Sequence, residues 1–130
     1  MRCAFWRDER GSASIEFVLL AIPLFIPLFL FMNSFSAVTD DQERLRTLAR
    51  ESARAFVTSA NDQNAFEVAN SVVIEGAHLL GFVDPERELS IEIDCSGRPC
   101  ISPDSKIVVT ISIPQRQVQV SAIEYVSPWA

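Results

Sequence analysis

The sequence predicts an α+β chain: a long N-terminal membrane and stalk helix, a second helix, and a small antiparallel sheet of about three strands. Three observations point there. Residues Phe17 to Met32 are sixteen in a row without a polar side chain. A three-four spacing of apolar and small residues then continues through two further segments. From Glu88 onward that spacing changes to two, the period of a strand. With 130 residues, the chain has room for one small domain plus an anchor.

The first element rests on the apolar run. The charge-free stretch is longer, from Phe17 to Thr39, 23 residues in all. As a helix it spans about 34 Å, enough to cross a hydrocarbon core of roughly 30 Å. A soluble domain this small has no core able to surround such a helix, so a membrane location is expected. A removable secretory signal is the alternative, with Ser34-Phe35-Ser36 or Ser36-Ala37-Val38 as a poor cleavage site. Arg2, Arg7 and Arg10 precede the span, and the acidic Asp40, Asp41 and Glu43 follow it. The positive-inside rule therefore places the N terminus in the cytoplasm and the rest of the chain on the extracytoplasmic side. Pro23 and Pro27 lie four apart on one helical face, where each removes a backbone hydrogen bond, and a kink is expected.

The most informative segment is Arg10-Gly11-Ser12-Ala13-Ser14-Ile15-Glu16-Phe17. One carboxylate, Glu16, stands at the lip of the apolar run. A charge at the bilayer centre costs about 3 kcal/mol on insertion scales, and less toward the interface. The bland alternative is a plain signal-anchor whose glutamate happens to lie in the interfacial layer.

A glycine, four residues, a glutamate and then a long apolar run, behind a short basic leader, resembles the type III signal of type IV prepilins. In its details the segment is similar to TadE-like minor pilins, or pseudopilins, of the tight-adherence (Flp) pilus system. The resemblance implies that residues 1–11 are a leader removed by a prepilin peptidase between Gly11 and Ser12, taking Cys3 with it. It implies that 12–39 are the transmembrane and assembly helix, with Glu16 fifth in the mature chain. Residues 40–60 would continue the stalk as an amphipathic helix, and 61–130 would form an extracytoplasmic head. The partners implied are the peptidase, other pilins and minor pilins, and the membrane. Major Flp pilins are much shorter and usually carry Tyr directly after the glutamate, where Phe17 stands here. Type II secretion pseudopilins share the cleavage logic and stay open, as does an uncleaved membrane-anchored binding module.

Beyond Thr39, Leu45, Leu48, Ala49, Ser52, Ala53, Phe56 and Ala60 fall on one face. Opposite them Arg46, Arg50 and Arg54 form a basic ridge, either a solvated face or a contact with an acidic partner surface. Asn61-Asp62-Gln63-Asn64 breaks the pattern. A second helix is expected from about Asn64, since Asn64 and Glu67 have capping-box spacing. Its stripe is Phe66, Ala69, Val72, Val73, Ala77 and Leu80, with Gly81 as a left-handed stop and Pro85 barring continuation. The helix should fold back on the stalk or lie across the sheet.

Three strands follow by alternation. Leu89, Ile91, Ile93 and Cys95 mark the first, and Ile107, Val109, Ile111 and Ile113 the second, ended by Pro114. Val118 and Val120 begin a third that runs toward Tyr125. Cys95 and Cys100 flank Ser96-Gly97-Arg98-Pro99, and a disulfide is expected if the head lies outside the cytoplasm.

The composition argues against other classes. A net charge of −6 and a pI near 4.7 disfavour nucleic-acid binding. Two thiols without a nearby His do not complete a metal site, so neither metal nor cofactor is expected. The single His78 belongs at a helix C terminus, where its partial charge meets the dipole. Glu92 and Asp94 are more simply the wet side of a strand than a catalytic pair. Nothing in the sequence supports an enzyme.

Overall fold

The computed structural model describes residues 12–129. Residues 1–11, the segment expected to be a leader and including Gly11, lie outside the described residues. Helix α1 (Ser12–Val57) is followed by α2 (Asp62–Leu79), the single turn α3 (Pro85–Glu88) and strand β1 (Ser90–Cys95). Strand β2 (Lys106–Ile113), a 3₁₀ turn at Pro114–Arg116 and strand β3 (Val118–Tyr125) complete the order. The α+β class holds, with three antiparallel strands in the order β1-β2-β3. Residue contacts divide the chain between Ala37 and Val38, and each part is described by itself.

The first part is the apolar portion of α1. Pro23 and Pro27 both sit inside the helix, and neither ends it. Each costs a hydrogen bond to the carbonyl four residues earlier, a defect tolerated in apolar helices when neighbours or small local adjustments satisfy the carbonyl.

The second part is the head. Its core joins α1, α2 and one face of the sheet. From α1 come Leu45, Leu48, Ala49, Ala53 and Phe56, all buried as their spacing predicts. Ala60 is the exception: α1 stops at Val57, and Ala60 is exposed. Helix α2 runs back antiparallel, because Ser52 pairs with Ala69 while Leu48 meets Gly76. Ser52 Oγ donates to the Ala69 carbonyl at 3.1 Å, which satisfies a buried hydroxyl between the helices.

The stripe that α2 buries is Ala65, Ala69, Val73 and Ala77. This is one position off the expected stripe at its start, and Phe66 stays partly exposed, its ring edge-on to Phe56 at 5.0 Å. Alanines win because the helices approach closely. The N-cap is Asn61, not Asn64: Asn61 Oδ1 accepts the Asn64 N–H at 2.9 Å. Gly81 ends the helix at φ 93°, with its own N–H donating to His78 and that of Phe82 to Ala77. That is the six-to-one and five-to-two pattern of a Schellman stop. Pro85 then opens α3, a turn that periodicity did not predict.

The sheet packs its inner face on the helices through Ile107, Val109, Ile111, Ile113, Val118 and Ala122. On the outer face Glu92 and Asp94 are exposed. The turn between β2 and β3 is tied to α1, where Arg116 Nη1 donates to Asp41 Oδ2 at 2.6 Å.

Candidate functional site

The candidate site is the N-terminal end of α1. Its backbone is helical from Ser12, so Glu16 falls one turn later on the same face. Its carboxylate is exposed, and among the described residues no cation pairs with it.

From Phe17 to Met32 the side chains turn outward in every direction. Phe17 is 71% exposed, Leu20 73%, and Phe29, near the far end of the run, again 71%. A helix that is apolar all round and unburied is a candidate membrane span by length and composition. The run holds twelve Leu, Ile, Val or Phe residues. Each favours the bilayer centre by about 0.3–0.6 kcal/mol, which together outweighs one carboxylate near the interface. Pro23 and Pro27 both lie within this exposed surface.

The head offers a second concavity. A cleft of about 420 Å³ is lined by Asp62, Phe66, Ile93, Asp94, Cys95, Arg98 and Cys100. Cys95 and Cys100 are joined by a disulfide, with their Cα atoms 5.3 Å apart. Asp62, in the first turn of α2, holds the loop down. Its Oδ2 accepts the Cys100 N–H and its Oδ1 the Ile101 N–H, each at 2.8 Å. Both cleft cysteines are therefore bonded, and the cleft holds no Ser, Lys or His. Among the described residues, no three His, Cys, Asp or Glu side chains converge as metal ligands would. His78 is exposed in the last turn of α2, away from this cleft.

Sequence reasoning anticipated the Cys95–Cys100 disulfide but missed Asp62 and the Asp41–Arg116 pair. Asp62 sits in what read as a polar break, and its partners are 38 and 39 residues away. The one local signal was an acid directly after an N-capping asparagine, a favoured place for negative charge.

Residues 11–54 match the family model of TadE-like proteins. The match covers the segment that carries the resemblance, including Gly11, Glu16 and the whole apolar run. Neither a curated protein nor a solved structure matches the chain.

Proposed function

We propose that this chain, TadE-like over residues 11–54, is a minor pilin or pseudopilin subunit of an Flp-type pilus, a structural part and not an enzyme. A prepilin peptidase cuts it between Gly11 and Ser12. The helix from Ser12 onward holds the subunit in the inner membrane, N terminus inward, and afterwards packs among pilin helices. The head stays outside the cytoplasm, a setting in which the Cys95–Cys100 disulfide is stable.

The observation that carries the proposal is the place of Glu16: one turn from Ser12, exposed, and followed at once by an apolar surface. Cleavage gives Ser12 a free amine, largely protonated at neutral pH. A buried amine and a buried carboxylate are each costly alone, and the cost falls when they pair. In a bundle of apolar helices, Glu16 of one subunit meets the terminal amine of the next and thereby fixes axial register. Between helices, van der Waals packing supplies the attraction. Gly11 suits the scissile position because it leaves the backbone open to the peptidase.

The test is Glu16→Ala. The variant should insert into the membrane as the parent does, since it loses a charge and gains apolar surface. It should be lost from sheared pili, measured by immunoblot of pilus and membrane fractions. Normal recovery in the pilus fraction would refute the registry role.

A further inference from the structure

Two solvent-facing ridges of opposite charge run along the helices of the head. On α1, Arg46, Arg50 and Arg54 recur every four residues, all exposed, opposite the buried Leu45, Ser52 and Phe56. On α2, Glu67, Ser71 and Glu75 recur at the same interval, also exposed, opposite Ala65, Ala69 and Val73. The outer charges of each ridge, Arg46 and Arg54 on α1 and Glu67 and Glu75 on α2, are about 12 Å apart along the axis, so they can face one another pairwise, with the uncharged Ser71 opposite Arg50. Within a chain the ridges cannot meet, because each points away from the shared core.

Their present partners are weak or missing. Arg46 touches Glu43 at 3.0 Å across an exposed contact, and Arg54 lies 3.7 Å from both the exposed Glu51 and the half-buried Glu124. Such pairs are easily exchanged for another carboxylate. Among the described residues Arg50, Glu67 and Glu75 have no ion pair.

We propose that the basic ridge of α1 in one copy docks on the acidic ridge of α2 in a second copy of this chain, setting the register of neighbouring heads. Both halves of the surface are carried by the same chain at the same spacing, which is the argument for a second copy as the occupant. Exposed charges supply orientation and encounter rate more than affinity. Affinity comes from the apolar helices, whose confinement to one membrane raises the effective concentration of the heads. The inference rests on the pilin proposal in that respect.

Cross-linking of the full chain in membranes tests it, in a Cys3→Ser background. Arg50→Cys and Ser71→Cys, placed on separate copies, should form an inter-chain disulfide under mild oxidation. Arg50→Cys with Glu92→Cys, on the outer face of β1, should not. Adding Arg46→Glu and Arg54→Glu to the first copy alone, or Glu67→Arg and Glu75→Arg to the second alone, should cut the yield by at least about threefold. Combining the two reversed copies should restore it, and raising the salt should lower it throughout. Yields indifferent to charge reversal, or no rescue by the combination, would overturn the proposal. Circular dichroism and an intact Cys95–Cys100 disulfide establish that each variant folds. The N-terminal residue is read in the same samples. Ser12 at the terminus with no cross-link sinks the docking alone, whereas an uncut chain sinks the pilin proposal itself.

Discussion

At the scale of single residues, Asp62 links parts of the head that are distant in sequence. Its two oxygens hold the backbone of Cys100 and Ile101, so the disulfide loop is fixed to the start of α2. Asp62→Ala leaves two N–H donors without that acceptor and should cost about 1–3 kcal/mol. The effect is read as a lower unfolding midpoint in urea for the full chain in detergent, with the disulfide intact. Asp62→Asn, which keeps one acceptor oxygen, should lose less. An unchanged midpoint for the alanine variant would mean that water replaces the carboxylate at no cost. Asp41 works in the same way for the β2–β3 turn. Its hydrogen bond and charge, with Glu88 adding to them, hold the Arg116 guanidinium above the ordinary arginine range. A cation raised on folding contributes below its unfolded pKa and loses that contribution only as pH climbs past the folded one. For arginine that window lies above any working pH, so this pair does not titrate from its basic side.

At the scale of elements, the closeness of α1 and α2 sets what each may carry. A Cβ on Gly76 would stand 2.6 Å from Leu48 Cδ2. Alanine there gains helix propensity of about 1 kcal/mol, and the tip of Leu48 can swing aside, so the two effects nearly cancel. Gly76→Val adds two branches that cannot be accommodated together and should destabilise the head by about 1–3 kcal/mol. Thermal unfolding of the two variants side by side separates them; equal melting would show that the helices simply move apart. The same closeness explains which elements were legible in the sequence. The β2 strand was plain, because Ile107, Val109, Ile111 and Ile113 alternate and all four are buried. The stalk face from Leu45 to Phe56 was equally plain. For α2 the large Phe66 drew the stripe one residue too far along, since apolar size suggests burial where tight packing admits only alanine. Its start was misplaced for a related reason. Asn61 and Asn64 both suit a cap, and only the Asn61 Oδ1 hydrogen bond to the Asn64 N–H decides between them. The salt link to Arg116 and the Asp62 clamp depend on chain reversal, which no local pattern encodes.

At the scale of the whole molecule, the two parts obey opposite rules. The head hides its apolar side chains in a common core and shows water a charged surface. The apolar portion of α1 exposes its side chains and carries one carboxylate at its edge. The TadE-like match spans that edge and the stalk, so the part of the chain most legible as sequence is also the part tied to a family. What the head adds is a register surface made of helix ridges, inferred from charge and spacing. The central claim remains proteolytic: the helix with Glu16 becomes an assembly element once Ser12 carries a free amine. Intact-mass measurement of the membrane-extracted protein, with N-terminal sequencing, tests this most directly. The mature chain should begin at Ser12; a chain that still begins at Met1 or Arg2 would contradict it.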